Sequence, residues 1–469
     1  MRPLALRDLG KRLYAGAPAW AQELLISGYF YGKSRRMYGP DFRKTAAFLE
    51  TSQWLDSGKL AELQGAELER LVEAAHHTPY YRSLWRERGI DAARVRSVGD
   101  LKDLPPLDKE TIRQRGEEFV DDRLDRRRLF TSLTSGSSGT PVRIYQARAF
   151  EPMEEAFLAR QWGWAGITPW SRRVKIRGDL LLPASMESES PWRRNLAGNE
   201  LRMSGYHLSA RTVRAYVERI RRFRPEALFA YPSSASILAA LVRDSGLRLD
   251  VPLVFTSAET LFPAQRRLIE ETFGARVFDH YGMTEAAVAI QECERGTYHL
   301  IPEYGITELL PVRDDPSGEL REVIATGLIN KSMPLLRYRT GDVVRIQEGR
   351  PACACGRVFP AVTEILGRQE DLVQAASGAW VGRLNFVFGG LSGVVEAQIE
   401  QERNHDLIVR VVRGTGYGKG TEDAIRRNLR DRVGDLRTSI EYVDVIPRGP
   451  NGKLKAVISR LERGPADHG

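Results

Sequence analysis

Hydrophobic residues recur at helical spacing along the first quarter of this chain. Leu60, Leu63, Leu68 and Leu71 lie three to five residues apart with charged side chains between them, so the pattern predicts helices over residues 20–115. An amphipathic helix near the N-terminus can rest on a membrane surface or on the body of the protein, and packing on the body is favoured.

The pattern changes after residue 129, where short apolar runs alternate with longer amphipathic stretches. Strands are predicted at residues 174–176, 227–230, 253–256 and 276–279. Helices are predicted at residues 210–222, 233–243 and 263–273, with Ser233 as the cap of the second. This alternation predicts an α/β fold with a largely parallel sheet, in which ligands bind beyond the carboxyl ends of the strands.

A further shift near residue 367 predicts a separate small domain. Strands are expected at residues 394–400, 407–412 and 440–445, and a helix is expected at residues 421–433. They would form an α+β unit of about a hundred residues, a usual size for a domain. Because 469 residues are too many for one hydrophobic core, we expect a large domain over residues 1–366 and a small one over residues 367–469.

Charge and cysteine content narrow the classes of protein. Lys and Arg number 70 against 61 Asp and Glu, and the net charge of +9 suits anionic ligands such as nucleotides and coenzyme A. The basic residues are spread along the chain, which indicates a solvated surface rather than a nucleic-acid-binding patch. Three cysteines cannot build a disulfide framework and fit a reducing, cytoplasmic compartment. No apolar stretch approaches the ~20 residues of a membrane span, and no secretion signal is expected.

A loop rich in Ser, Thr and Gly carries the first candidate chemistry. Glycines let a backbone approach a ligand closely, and hydroxyl and backbone N–H groups can surround a polyphosphate. A flexible linker is the alternative, but strand-like residues on both sides favour a hairpin that cradles phosphate. The predicted phosphate-binding residues are Thr134, Ser135, Gly136, Ser137, Ser138, Gly139 and Thr140.

Four more motifs follow this loop along the chain. They are Tyr281-Gly282-Met283-Thr284-Glu285, Tyr338-Arg339-Thr340-Gly341-Asp342, Gly367-Arg368-Gln369-Glu370-Asp371 and Pro447-Arg448-Gly449-Pro450-Asn451-Gly452-Lys453. Taken alone, the first could be a Mg²⁺ site or a helix cap, the second a turn, and the last a surface lysine after a turn. Their order together with the loop resembles the adenylate-forming enzymes, the acyl- and aryl-CoA synthetase superfamily. The nearest branch is similar to the phenylacetate–CoA ligase family, especially its members from capsular and exopolysaccharide gene clusters.

The resemblance implies a role for individual side chains. Thr284 would approach the phosphates of ATP, and Glu285 would help to hold Mg²⁺, a hard ion that takes oxygen ligands. Asp342 would accept hydrogen bonds from both ribose hydroxyls, and Arg368 would contact ribose or phosphate. Lys453 would stabilise the charge that develops during adenylation.

The resemblance also locates the nucleotide base, the acid and a hinge. Residues expected beside the adenine are Ser257, Ala258, Glu259, Tyr281 and Gly282. The pocket for the acid is expected near Tyr231, Ser257, Tyr281, Met283 and Ala286. Glu370 stands where the family usually has Asp or Lys at the hinge, a departure that affects the details of the hinge rather than the class of enzyme. The small C-terminal domain would be mobile about this residue.

All three cysteines can join one histidine in a single cluster. Cys293 and His299 lie six residues apart, and Cys353 and Cys355 are followed by a glycine that allows a tight turn. Three thiolates and one imidazole suit tetrahedral Zn²⁺, and a closed set of four ligands would be structural. Some members of this branch bind a structural zinc with similar pairs. Three unrelated reduced thiols are the alternative.

The resemblance implies a two-step ligase. ATP would activate a carboxylic acid as an acyl-adenylate, and coenzyme A would then take the acyl group. An amine, a hydroxyl or the thiol of a carrier protein remain alternative acceptors. A non-catalytic nucleotide-binding protein is a second hypothesis, and a basic protein that binds nucleic acid or membrane is a third. Aryl, fatty and hydroxy acids all stay open as substrates, and so does the oligomeric state, a homodimer included.

Overall fold

The computed structural model describes residues 14, 17–134, 142–177, 190–312, 315, 317–349, 351–368, 373–376, 380–381, 384–388, 391, 393–447 and 454–461. The α-helices of this part of the chain are α1 (Ala19–Met37), α2 (Pro40–Ser52), α3 (Ser57–His76), α4 (Pro79–Arg88), α5 (Lys109–Arg115), α6 (Phe150–Trp164), α7 (Val213–Phe223), α8 (Pro232–Asp244), α9 (Pro263–Phe273) and α10 (Lys419–Val433). No helix among these residues is long and apolar enough to cross a bilayer.

The strands belong to three larger sheets and two hairpins. In chain order they are β1 (Phe130–Leu133), β2 (Arg143–Gln146), β3 (Arg173–Arg177), β4 (Trp192–Asn195), β5 (Glu200–Ser204), β6 (Ala227–Ala230), β7 (Leu253–Ser257), β8 (Arg276–Gly282), β9 (Ala289–Glu292), β10 (Tyr298–Leu300), β11 (Gly305–Pro311), β12 (Leu320–Gly327), β13 (Tyr338–Arg345), β14 (Ala361–Val362), β15 (Glu364–Arg368), β16 (Val373–Gln374), β17 (Trp380–Val381), β18 (Val394–Gln401), β19 (Leu407–Arg413), β20 (Thr438–Tyr442) and β21 (Val457–Ser459).

The helical prediction for the N-terminal quarter is confirmed by α1 to α5. In α3, Leu68 and Leu71 are fully buried, as their spacing predicted. The helix begins after Asp56, whose side chain accepts a hydrogen bond from the Lys59 N–H. It ends at His76, and its apolar face joins a core shared with the sheet strands. The spacing of the leucines was therefore sufficient to predict this helix.

The predicted α/β fold with a parallel-rich sheet is also confirmed. A nine-stranded sheet has the order β14-β10-β9-β8-β7-β6-β3-β5-β4. Its central strands, β5, β3, β6, β7 and β8, are parallel, and the pairs toward both edges are antiparallel. The four predicted strands correspond to β3, β6, β7 and β8, and the three predicted helices to α7, α8 and α9.

The predicted cap of α8 is wrong. Tyr231 is the cap residue, and its side chain makes no capping hydrogen bond. Pro232 occupies the first helical turn, because a proline has no N–H to satisfy there and its φ already suits a helix. The helix therefore starts before Ser233, whose N–H donates instead to the carboxylate of Glu259, 3.0 Å away.

The second sheet supports one edge of the first. Its order is β11-β12-β13-β15, and all its pairs are antiparallel. One hydrophobic core joins both sheets to the N-terminal helices, with Leu68, Phe119, Val323 and Tyr338 among its buried members. This core holds the ends of β8 and β13 close together.

The C-terminal part has a core of its own. Strands β20, β19, β18 and β21 form a sheet, and a buried cluster drawn from residues 373–457 includes Ile399, Val409 and Leu429. The last predicted strand, 440–445, is shifted, since β20 covers residues 438–442 instead. Pairing with β19 over Leu407–Val411 determines where β20 lies. The boundary at residue 367 stays a prediction.

Candidate functional site at the carboxyl edge of the parallel strands

The strands on either side of the predicted phosphate loop pair as a β-hairpin. Strands β1 and β2 pair antiparallel, from Phe130 opposite Gln146 to Leu133 opposite Arg143. Beyond them, the Thr134 N–H donates to the Val142 carbonyl, and the Thr134 Oγ1 accepts from the Val142 N–H, each at 2.9 Å. The hairpin is confirmed and Thr134 closes it. The other predicted loop residues, Ser135, Gly136, Ser137, Ser138, Gly139 and Thr140, lie outside the described residues.

The Glu285 side chain is held in a tight turn directly after β8. The Ala286 N–H donates to the Met283 carbonyl at 3.0 Å, and Ala286 has a φ of +56°, in the left-handed region. Glu285 is buried, and its Oε1 accepts a hydrogen bond from the Tyr338 hydroxyl at 3.0 Å. The Lys109 Nζ lies 3.8 Å from the same oxygen. The lysine and the tyrosine therefore give this buried carboxylate a nearby positive charge and a hydrogen-bond donor.

Two facing glycines let this turn lie on the second sheet. Gly305 and Gly327 are partners in β11 and β12. A Cβ at Gly327 would lie 2.5 Å from the Ala286 carbonyl oxygen, and one at Gly305 would lie 2.2 Å from the Ala287 carbonyl oxygen. Any side chain there would push the turn away, as expected where strand glycines mark a close approach of two backbones. The position of Glu285 therefore depends on residues that belong to no recognised motif.

A hydrogen bond between two predicted motifs joins the two sheets. The Tyr281 hydroxyl donates to the Asp342 Oδ2 at 2.6 Å. Asp342 is buried, and its own N–H donates to the Thr340 Oγ1 at 3.0 Å. Backbone pairing places Asp342 opposite Arg368 in β15. The side chain of Arg368 and the whole of Glu370 lie outside the described residues.

The C-terminal unit reaches the same edge through Glu259. Ser257 ends β7, and Ala258 follows in the left-handed region with a φ of +73°. The Glu259 carboxylate then accepts the N–H of Leu454 at 3.1 Å. Lys453 itself lies outside the described residues, but the next residue along the chain is bonded beside the predicted adenine stretch.

Arg177 stands among the residues predicted to line the acid pocket. Its Nη2 donates to the Ser257 Oγ at 3.0 Å, and its guanidinium carbon lies 5.9 Å from the centre of the Tyr231 ring. Burial and the positive charge of Arg177 lower the pKa of His280 to about 4, so this histidine is neutral near pH 7. The cation of Arg177, the neutral imidazole of His280 and the phenol of Tyr231 therefore lie near one another at the end of β3.

The other two predicted pocket residues lie in the Glu285 turn. Met283 is half-buried and packs against the main core, and Ala286 is fully buried in a neighbouring cluster. Thr284 is half-buried between them. Met283 and Thr284 belong to a sequence motif that Ala286 directly follows. Lys109 and Arg177 belong to none, and their roles arise only from contacts between elements distant in the chain.

The cysteine–histidine cluster is assembled as the sequence predicted. Ligand atoms of Cys293, His299, Cys353 and Cys355 all lie within 4.8 Å of one another. The Cys293 and Cys353 sulfurs are 3.8 Å apart, and the Cys355 Sγ lies 3.4 Å from the His299 Nε2. A tetrahedron with Zn–S bonds of about 2.3 Å has an S···S edge of about 3.8 Å. The donor set therefore fits a four-coordinate Zn²⁺.

Contacts around the cluster orient the donors. The His299 Nδ1 lies 3.2 Å from the Phe359 carbonyl oxygen, which leaves Nε2 directed toward the cysteines. Backbone N–H groups of Arg295 and Cys355 donate to the Cys293 and Cys353 sulfurs. Since β14, which pairs with β10, leads directly into β15, the cluster ties the edge of the large sheet to the chain that approaches Arg368.

Known proteins with similar sequences belong to the class that the site residues suggest. A model of the CapK C-terminal domain matches residues 375–460. Protein CapK of Staphylococcus aureus is 24% identical over 461 residues, which cover 96% of this chain and 99% of that protein. Phenylacetate-coenzyme A ligase of Thermus thermophilus is 26% identical over 460 residues, with 90% and 99% covered.

A solved structure shares the fold. The 2-hydroxyisobutyryl-CoA ligase, in the postadenylation state with an acyl-AMP bound, is 20% identical and matches with a TM-score of 0.67, covering 87% of this chain and 90% of its own. The same ligase in the thioesterification state, with acyl-AMP and CoA, matches with a TM-score of 0.53. Sequence and fold together support the adenylate-forming, phenylacetate–CoA ligase-like family.

Proposed function

We propose, from its place in the adenylate-forming, phenylacetate–CoA ligase-like family, that this protein converts a carboxylic acid and ATP into an acyl-adenylate and pyrophosphate, and then transfers the acyl group to coenzyme A with release of AMP. The observation that carries the proposal is the convergence of separate motifs at one sheet edge. The hydrogen bonds Tyr281–Asp342, Tyr338–Glu285 and Leu454–Glu259 connect chain segments 53 to 195 residues apart. Such convergence supplies the positioning that phosphoryl-type transfer needs.

Each group at this edge has a place in the first step. The hairpin loop from Thr134 to Thr140 holds the phosphates, while Asp342 and Arg368 hold the ribose. Thr284 approaches the phosphates, and Glu285 would help to hold Mg²⁺, which neutralises phosphate charge when bound. An oxygen of the substrate carboxylate attacks the α-phosphorus, the bond to the pyrophosphate oxygen breaks, and Lys453 stabilises the charge that develops.

The C-terminal unit is positioned for this first step. The bond from the Leu454 N–H to Glu259 holds the residue next to Lys453 at the nucleotide edge. The better match to the postadenylation state than to the thioesterification state supports the same arrangement. We propose that the small domain then rotates about Glu370, which withdraws Lys453 and lets the thiol of coenzyme A attack the acyl carbon.

Arg177 adds a positive charge to the expected acid pocket, beside Tyr231 and Ser257. Aryl, fatty and hydroxy acids all remain candidate substrates.

The cysteine–histidine cluster would hold a structural Zn²⁺. The four ligands are Cys293, His299, Cys353 and Cys355, and together they leave no coordination position for a substrate. The ion would therefore stabilise the sheet edge and would not take part in catalysis.

Acid-dependent exchange of pyrophosphate into ATP tests the first step. The panel contains phenylacetate, fatty acids, hydroxy acids and dicarboxylic acids, each with Mg²⁺. Exchange with one class is expected, and Lys453→Ala should lose it while still forming a thioester from supplied acyl-adenylate. Wild-type exchange by Lys453→Ala would refute the role of that lysine, and ATP binding without exchange across the panel would favour a non-catalytic nucleotide-binding protein.

The second step is tested with purified acyl-adenylate. Coenzyme A, amines, hydroxyl compounds and a carrier-protein thiol are offered separately, and the acyl product is identified by mass. Acyl-CoA is the expected product, whereas an amide, an ester or an acylated carrier protein would replace coenzyme A as the acceptor.

A further inference from the structure

Helix α1 faces its apolar side outward. Gln22 and Ser27 are buried against the body of the protein. The large apolar side chains on the other half of the helix are between 58% and 68% exposed. They are Trp20, Leu24, Leu25, Tyr29 and Tyr31. A surface helix of a globular protein normally does the opposite.

The polar side chains of α1 face inward because they bind to the edge of the large sheet. β4 is the edge strand, and α1 lies along it. The Arg194 N–H donates to the Glu23 Oε1, and the Leu196 N–H donates to the Ser27 Oγ, each at 3.0 Å. Gln22 accepts from the Arg193 Nε at 2.6 Å. Polar side chains on α1 therefore satisfy groups at an otherwise unpaired sheet edge.

The outward face combines apolar side chains with basic residues of the last two turns of α1, where Arg35 is exposed and Lys33 and Arg36 lie 3.9 and 3.5 Å from Glu151. Leu196, 55% exposed, extends it beside Ser27. Residues 1–37 carry seven basic and two acidic side chains, so this short stretch holds +5 of the net charge of +9. One of the two acids, Glu23, is bonded to β4 and faces inward. Large apolar side chains exposed together along one helix are the kind of surface that marks an interaction site.

We propose that α1 lies flat on a lipid bilayer that contains anionic phospholipid. Trp and Tyr are the side chains that prefer the depth of the headgroups, and basic side chains around an apolar helix face are typical of interfacial helices. The helix is about 28 Å long, enough for all five apolar side chains to enter one leaflet side by side. Two copies packed face to face through α1 would instead bring two groups of positive charge together.

Vesicle binding of the full chain tests the proposal. Vesicles of phosphatidylcholine alone are compared with vesicles in which about a third of the lipid is phosphatidylglycerol, by co-sedimentation at low and high salt. Binding is expected to the anionic vesicles and to weaken with salt, because the charge attraction is screened. Leu24→Glu should lower the affinity by about tenfold or more, and Arg35→Gln by about fivefold.

A matched leucine controls for non-specific effects. Leu124 is exposed on a loop that is not part of α1, so Leu124→Glu adds the same charge and should leave vesicle binding unchanged. Lipids with brominated chains provide a direct readout, since they should quench less fluorescence in Trp20→Phe than in the wild type while both proteins bind. Unchanged melting temperature and ATP binding show that the variants are folded.

Three results would overturn the proposal. The first is failure of the wild type to bind anionic vesicles at about 1 mM lipid. The second is equal vesicle binding by Leu24→Glu and wild type. The third is light scattering that shows a dimer which Leu24→Glu makes monomeric. The last result would identify the face as an interface between two copies of the chain.

Discussion

The sheet-edge site and helix α1 both turn polar side chains inward, but only α1 leaves its large apolar side chains exposed. At the site, Glu285 and Asp342 point inward and each is bonded to a tyrosine from the other sheet. On α1, polar side chains also point inward, but they serve the edge strand β4 and leave the apolar side chains outside. One rule governs both, because buried polar groups need hydrogen-bond partners. The difference shows that a helix can turn its apolar face to solvent when a sheet edge needs its polar face.

The largest expected effect comes from breaking the bond between the two sheets. Asp342→Asn should lower acid-dependent pyrophosphate exchange by about 10²–10³-fold, because a neutral amide is a weaker acceptor for Tyr281 and for the ribose hydroxyls. Asp250→Asn, at an exposed surface position, is the control and should retain wild-type exchange. Retained exchange in Asp342→Asn would remove this residue from the site.

Removing a ligand from the cysteine–histidine cluster would show whether bound zinc stabilises the edge of the large sheet. Cys353→Ser should lower zinc affinity by about 100-fold or more and lower the melting temperature, since a hydroxyl replaces a thiolate ligand. His76→Gln, at the exposed end of α3, is the control. Elemental analysis that finds equal zinc in wild type and Cys353→Ser, or none in either, would contradict the assignment.

The two faces of α1 provide the most direct test of the comparison. Gln22→Ala should lower the free energy of unfolding by about 1–3 kcal/mol, because the Arg193 guanidinium and two backbone carbonyls lose a buried partner. Leu24→Glu, two residues away on the outer face, should change it by no more than about 0.5 kcal/mol. Urea unfolding measures both, and equal losses would mean that the outer face is covered in the folded protein.

The smallest expected effect concerns His280 and pH. Its pKa is about 4 in the folded protein and about 6.5 when unfolded, so between these values the unfolded chain binds more protons. Stability contributed by the neutral form is present above pH 6.5 and is lost as pH falls toward 4. Acidification from pH 7 to pH 5 should therefore cost the wild type about 1–2 kcal/mol more than His280→Gln. Parallel pH profiles for the two proteins would contradict the lowered pKa of His280.

Local patterns accounted for most of the secondary structure. The leucines of α3, the apolar runs of β6 and β7, and Pro263 at the start of α9 each carry their signal within a few residues. The cap of α8 was missed because the bond that Ser233 makes to Glu259 joins residues 26 positions apart. The start of a helix can thus depend on a partner that no local window contains.

Only part of the candidate site could be predicted from the sequence. Motif order predicted Glu285 and Asp342, and the spacing of the Cys and His residues predicted the four zinc-type ligands, because each residue type has a defined chemical group. Lys109 and Arg177 belong to no motif, and their significance comes from a 3.8 Å approach to Glu285 and a 3.0 Å bond to Ser257. Such distances follow from packing alone.

The sequence by itself determined the class of fold, the order of motifs and the charge of the first 37 residues, because these depend on residue type and spacing. Only the tertiary structure decided which half of α1 faces the sheet edge, and that glycines 305 and 327 leave room for the Glu285 turn. The physical reason is that hydrogen-bond satisfaction and steric exclusion act between segments far apart in the chain. A helical pattern shows that a helix has two faces, and the neighbouring strand determines which of them is buried.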